Sequence, residues 1–158
     1  IGEATELWLG VEERNASAAA ELKRLLHTIK GEAHMLGLHA TGHLIQANGD
    51  QFRGTFQDDE LQGEGEWLGA NGDYYKGGFA AGLFSGQGRY EASDGDVYAG
   101  QFSAGVPNGP GRFTAADGRV IAGNFRSGWP DGEVQVTTPD GRQLLEVWSD
   151  GKLVDTQR

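Results

Sequence analysis

The sequence contains no cysteine, and no run of its apolar residues approaches the roughly 18 that a membrane-spanning helix needs. Without cysteine there is no disulfide framework and no cysteine-based metal site. The short apolar runs argue against a transmembrane helix. The first residues show no basic segment followed by an apolar core, so we see no signal peptide and expect a cytoplasmic protein.

Basic residues are also scarce, with 13 Lys and Arg against 23 Asp and Glu, which gives a formal net charge of −10. An acidic surface repels phosphate backbones and anionic headgroups at long range. We therefore expect no nucleic-acid partner. We also do not expect a membrane partner, because membrane binding needs a local basic patch and none is visible in the sequence. His34 and His43 are expected to be surface residues, and we predict neither a metal site nor a cofactor.

Glycine, by contrast, is abundant, with 27 residues, and it is concentrated after the first 40 positions. This shift in composition divides the chain into residues 1–37 and residues 38–154. The second part repeats with a period of 23 residues, without a gap. Two aromatic or apolar columns follow this period: Phe52, Tyr75, Tyr98, Ile121 and Leu144 form the first, and Phe56, Phe79, Phe102, Phe125 and Trp148 form the second. Such self-similarity is the signature of a repeat architecture.

Each unit reads as a β-hairpin. Phe52, Gly54 and Phe56 alternate with the period of a strand, which places both rings on one face with a glycine between them. An Asn-Gly or Asp-Gly pair, such as Asn71-Gly72, ends each unit, and these pairs predict tight type I′ turns. The Gly-x-Gly pairs are not followed by a helix, so a phosphate-binding loop is rejected.

The unit from Tyr75 to Gly82, followed by Gly86-Gln87-Gly88, resembles the MORN repeat, and Tyr98 to Gly111 repeats it. The resemblance implies an antiparallel array of β-hairpins that serves interaction or assembly rather than catalysis. The last units depart from the pattern, so we predict a C-terminal cap from about residue 129. Four rings are candidates either for core packing or for a partner-binding groove: Tyr75, Phe79, Tyr98 and Phe102.

Residues 1–37 read as two amphipathic helices joined near Asn15. On the second helix, His27, Lys30 and Gly31 lie opposite the leucine stripe, so His27 is expected to be exposed. An exposed imidazole can accept a phosphoryl group, and a cation one turn away balances the added charge. The stretch from His27 to Gly37 resembles the phosphoacceptor helix of histidine-containing phosphotransfer domains. The resemblance implies that His27 carries the phosphoryl group and that Lys30 and Gly31 assist it.

Two points remain open in the sequence. Residues 38–46 fit either a third helix of a phosphotransfer bundle or half of a β unit, and we favour the β unit. The apolar stripes of the two helices need a cover. They can lie on the repeats as a cap, or they can pair with a second chain to form a homodimer.

The sequence thus predicts a mainly β, MORN-type antiparallel hairpin array with an N-terminal α-helical hairpin. The leading hypothesis for its function is a non-enzymatic module that binds a protein or peptide. The alternative is a phosphorelay protein in which His27 is at most a phosphotransfer intermediate, with a kinase or response regulator as partner.

Overall fold

The computed structural model describes residues 40–58 and 60–158, which form one antiparallel sheet of eleven strands in chain order. Each strand pairs with the one before it and the one after it, as a hairpin meander requires. The strands are β1 (Ala40–Ile45), β2 (Gln51–Gln57), β3 (Glu60–Leu68), β4 (Tyr74–Ala80), β5 (Leu83–Glu91), β6 (Val97–Ser103), β7 (Val106–Thr114), β8 (Val120–Arg126), β9 (Trp129–Thr137), β10 (Gln143–Ser149) and β11 (Lys152–Gln157).

This architecture confirms the mainly β hairpin array, and β1 agrees with the β interpretation of residues 38–46. The predicted helical hairpin of residues 1–37 lies outside the described residues, together with His27, Lys30 and Gly31. No helix occurs in residues 40–58 or 60–158. The division at residue 37 and the cap from about residue 129 stay predictions.

A row of glycines crosses the sheet at right angles to the strands. Each of the strands β1 to β8 contributes one residue, and each residue pairs in register with the next: Gly42, Gly54, Gly65, Gly77, Gly88, Gly100, Gly111 and Gly123. Register shifts that mark β-bulges fall beside the row, between Gly77 and Phe79 and between Gly100 and Phe102. Bulges bend strands and strengthen their twist.

The sheet folds sharply along this glycine row. Tyr75 and Phe79 are four residues apart on β4, so a straight strand would separate them by about 13 Å. Their ring centroids are 5.3 Å apart, and those of Tyr98 and Phe102 are 5.1 Å apart. The fold therefore has two layers of one sheet with the aromatic rings between them. We call the layer with the Asn-Gly and Asp-Gly loops the loop half, and the opposite layer the turn half.

Two positions of the row require glycine because tyrosine side chains occupy the space above them. A Cβ on Gly88 would collide with the Tyr75 hydroxyl, and a Cβ on Gly111 would collide with that of Tyr98. Each hydroxyl then donates a hydrogen bond at the bend: Tyr75 to the Gly78 carbonyl at 2.8 Å, and Tyr98 to the Gln101 carbonyl at 3.0 Å. The ring is thus held in the core while its polar end is satisfied.

In one unit, an isoleucine and a valine replace the tyrosine and the glycine and fill the same space. Ile121 stands 23 residues after Tyr98, and Val134 stands 23 residues after Gly111. Val134 pairs in register with Gly123, and both Ile121 and Val134 are buried. The branched side chain on β9 takes the volume that a tyrosine ring takes elsewhere. The loss of the tyrosine and the loss of the glycine therefore compensate each other.

We predict that the same isoleucine and valine pair can replace the tyrosine and glycine of the preceding unit. Gly111→Val should lower the free energy of unfolding by about 3 kcal/mol, because the new side chain collides with Tyr98. Tyr98→Ile should cost a similar amount by leaving a cavity. The double variant should recover about 1–3 kcal/mol of the summed loss in urea denaturation. Strictly additive losses would contradict the compensation. Gly42→Ala is the control, since its Cβ would meet Phe56 at an ordinary 3.5 Å.

The turn prediction from the Asn-Gly and Asp-Gly pairs was wrong in type. In the first loop, Gln46 N donates to Asp50 O at 2.8 Å and Gly49 N donates to Gln46 O at 3.0 Å, which defines a three-residue loop. Gly49 has a φ of 96°, whereas Asn48 does not have a positive φ. This is a type I turn followed by a left-handed glycine, the three-residue alternative to the type I′ turn.

The two-residue turns instead join the strands of the turn half. Ala81 and Gly82 have φ values of 51° and 75°, and Ala104 and Gly105 have values of 49° and 88°. Positive φ at both central positions defines a type I′ turn. Here an alanine occupies the first position, where asparagine or aspartate is preferred. The sequence predicted a turn between the two strands of each unit but not its type, because Ala-Gly is a weak turn signal.

Ala104→Asn should stabilise the protein by about 0.5–1 kcal/mol, because asparagine tolerates the left-handed conformation that costs alanine about 1 kcal/mol. Ala104 is exposed, so the larger side chain meets no core residue. The midpoint of urea denaturation is the measurement. Ala80→Asn is the matched control, since Ala80 is also exposed but does not have a positive φ. A gain in the control as large as in Ala104→Asn would contradict the prediction.

Candidate interaction surface

The four aromatic residues proposed from the sequence lie in the core. Tyr75 is 0% exposed, Phe79 is 4%, and Tyr98 and Phe102 are 1% each. Tyr75 stacks on Phe84 with ring centroids 3.8 Å apart, which ties β4 to β5. Their burial corresponds to the core-packing alternative rather than to an exposed groove. A partner would therefore contact other residues, with these rings as the rigid support beneath them.

Carboxylates on the loops serve to join one unit to the next. Asp73 Oδ1 accepts a hydrogen bond from Ser93 N at 2.9 Å, and Asp96 Oδ1 accepts one from Ala116 N at 2.8 Å. Asp50 makes the same contact with Ala70 N at 2.8 Å. Each acceptor reaches 20 residues along the chain, into the following loop. These acidic groups are engaged in holding backbone amides, so they are structural.

The column of aspartates changes to arginine after the third loop. Arg119 replaces the aspartate and lies 2.9 Å from Glu146, which is 4% exposed. Trp148 Nε1 donates to the other oxygen of Glu146 at 2.9 Å. Glu146 occupies the position on β10 that glycine holds in earlier units. A partly buried ion pair and an indole hydrogen bond thus replace the tyrosine-over-glycine contact near this end of the array.

Two rows of side chains point away from the core on the loop half, and we call them together the outer face. The outer row lies near the loops and contains Ile45, Gln51, Leu68, Tyr74, Glu91, Val97, Thr114, Val120 and Thr137. The inner row lies beside the glycines and contains His43, Arg53, Glu66, Lys76, Arg89, Ala99, Arg112, Ala122 and Gln135. The strand alternation that buries the tyrosines exposes these rows.

The outer face is charged over β2 to β5. Lys76 lies 3.5 Å from Glu66, and Arg89 lies 2.7 Å from Glu91. Tyr74 donates to Glu66 at 3.1 Å, and burial together with this hydrogen bond to a carboxylate raises the pKa of Tyr74 above its ordinary value. A shallow depression of about 130 Å³ lies here, which is below the roughly 300 Å³ of a typical small-molecule site.

Over β6 to β9 the outer face changes character. It carries small and β-branched side chains, namely Val97, Ala99, Thr114, Val120 and Ala122, and it has no carboxylate. Arg112 stands among them, with Ala99 and Ala122 as its register neighbours. Within the described residues, Arg112 has no ion pair or hydrogen bond through its side chain.

The outer face also carries a row of basic residues that was not visible as a cluster in the sequence. Arg53, Lys76, Arg89 and Arg112 all lie on the inner row. They are scattered in the sequence and come onto one row only through strand pairing, with Glu66 between Arg53 and Lys76 and Ala99 between Arg89 and Arg112. Periodicity offered a signal, since Arg53 and Lys76 are 23 residues apart, as are Arg89 and Arg112.

The family model described as MORN repeat matches three consecutive segments, residues 52–74, 75–97 and 98–118. Each segment begins at the first aromatic column, so the chain contains MORN repeats in the predicted 23-residue register. The later units, in which Ile121, Val134 and Glu146 replace the usual residues, lie beyond the match. No curated protein matches the chain.

MORN repeats indicate a module for protein interaction or membrane association. Across residues 40–58 and 60–158 there is no helix of the length and hydropathy required to cross a bilayer. No group of three or more potential metal ligands occurs in that same part of the chain.

The buried tyrosines predict a loss of stability in alkali. Burial raises the pKa of Tyr98 to about 12 from 10.0, and burial also raises that of Tyr75. Between these pH values the folded protein holds protons that the unfolded chain has released, so the free energy of unfolding should fall as pH rises from about 10 to 12. Urea midpoints measured against pH should show this decline.

The matched variants separate titration from packing. Tyr98→Phe should flatten the decline, because it removes one titrating group from the core. Phe125 packs edge-on against Tyr98 at 5.1 Å and does not titrate, so Phe125→Leu should lower stability at every pH and keep the slope. An unchanged slope in Tyr98→Phe would refute the assignment.

Proposed function

We propose that this chain is a non-enzymatic protein-interaction or assembly module whose outer face binds a segment of another protein. The observation that carries the proposal is the continuity of this face. Eight consecutive strands, β2 to β9, each contribute two side chains in register, and the aromatic core fixes them from behind. The MORN repeats support the same class of function.

Protein binding is favoured over membrane association by the composition of the face. Its β6 to β9 part carries one arginine and no other charged side chain, and the centres of protein interfaces are enriched in arginine and depleted in other charged residues. The net charge of the whole chain, −10, opposes approach to an anionic bilayer. The phosphorelay alternative concerns His27, outside the described residues, and stays a prediction from the sequence.

Photo-crosslinking tests the proposal. A photoreactive amino acid is placed at position 114 of the full chain, which is expressed in cells of the organism that produces it. Thr114 lies on the outer face at the middle of the array, so irradiation of the full chain should yield an adduct with a partner protein. The same amino acid at position 103 is the control, because Ser103 is exposed on the turn half. Adducts of equal yield at both positions, or none at position 114, would contradict the proposed face.

A further inference from the structure

The four cations of the inner row form a line across the strands. Arg53, Lys76, Arg89 and Arg112 belong to β2, β4, β5 and β7, and all four are exposed. Glu66 is the single carboxylate in the row from His43 to Gln135. The net charge of the chain is −10, so this line is a positively charged strip on an acidic protein. It is complementary to a partner that is acidic along one edge.

Arg112 is the strongest element of this line. Its neighbours Ala99 and Ala122 are too short to shield it, and no carboxylate on β6 to β9 of the outer face competes for it. An arginine offers two parallel N–H donors to a carboxylate. Val97 and Val120, in the adjoining row, supply apolar surface beside it. A carboxylate bound here would be partly shielded from water, which strengthens the pair.

The spacing of the line favours a helix over an extended segment. With strands about 4.8 Å apart, the gaps between successive cations are about 9.6, 4.8 and 9.6 Å. On a helix, positions i, i+7, i+11 and i+18 are about 10.5, 6 and 10.5 Å apart along the axis, and they fall within a stripe about 40° wide. On an extended chain, about 9.6 Å is three residues, which points alternate side chains to opposite faces.

We propose that the outer face binds an acidic α-helix that lies along the inner row, across the strands. Its carboxylates pair with Arg53, Lys76, Arg89 and Arg112, and its small apolar side chains lie against Ala99 and Ala122. The proposal rests on the proposed function, of which it names the partner's chemistry. Lys76 and Arg89 exchange their pairs with Glu66 and Glu91 for the helix carboxylates, whereas Arg112, which has no partner among the described residues, gains one.

The test uses the full chain and a synthetic helical peptide with glutamates at i, i+7, i+11 and i+18 in an alanine, leucine and glutamine background. A second peptide of identical composition spreads the glutamates around the helix. Fluorescence anisotropy should show the striped peptide binding about tenfold more tightly than the spread one. Raising the salt concentration should weaken binding, because exposed charges are screened.

Variants of the protein locate the site. Arg112→Ala should weaken binding of the striped peptide about fivefold or more, and Arg112→Lys should recover part of the loss. Arg142 is exposed, pairs with Asp140 in the loop that precedes β10 and is not part of the inner row, so Arg142→Ala should leave binding unchanged. Equal affinity for the two peptides, or equal loss in both alanine variants, would overturn the proposal.

Two further results would distinguish the acidic helix from a lipid surface and from another kind of protein partner. Vesicles that contain phosphatidylserine should not bind the chain. Arg112-dependent binding to such vesicles, without binding to the striped peptide, would overturn the acidic helix in favour of a lipid surface. If position 114 captures a partner protein but the striped peptide binds no more tightly than the spread one, the interaction module stands and the acidic helix is refuted.

The melting temperature of Arg112→Ala should equal that of the unaltered chain, since Arg112 is exposed and has no partner within the described residues.

Discussion

The contact between a tyrosine side chain and a bare glycine on the next strand is the interaction on which this array depends. Tyr75 above Gly88 and Tyr98 above Gly111 leave no room for a Cβ, so the ring lies directly on the backbone. The same glycine row lets each strand bend, which brings the second aromatic column within 5.3 Å of the first. One flat sheet thereby becomes two layers with a core, without the help of a second sheet or a helix among the described residues.

Because the core forms in this way, many side chains are used for packing or for hydrogen bonds within the array, and the others are exposed. One side of every bent strand is committed to the rings, and the loop aspartates are committed to amides of the next loop. The outer face is a surface of the described residues whose side chains are committed to neither role and can meet a partner. Four of its exposed residues are cations that strand pairing places in one row, although the chain as a whole is acidic. Fold and candidate function are linked in this way, because packing inward decides what is presented outward.

The later units show how much variation the arrangement tolerates. Ile121 with Val134 preserves the filled volume and gives up the tyrosine hydrogen bond. Glu146 goes further and puts a carboxylate in the glycine column, where Arg119 and Trp148 satisfy it. A buried polar group needs such partners, because an unsatisfied one would cost the free energy of its lost hydration. The antiparallel pairing continues through both substitutions, but in the last hairpin the register shift moves to a place between Val147 and Trp148.

The sequence by itself determined the period of 23, the hairpin strands and the glycine columns, because alternation and turn residues are local signals. It misassigned the turns, since Asn-Gly suits both a type I′ turn and the glycine end of a three-residue loop, and only the loop-closing hydrogen bonds separate them. It also left Tyr75 and Tyr98 undecided between core and groove. Tertiary structure settled their burial, because the bend at the glycine row encloses them. The basic row was likewise decided by tertiary structure: Lys76 and Arg89 are 13 residues apart in the chain, and only the strand register makes them neighbours.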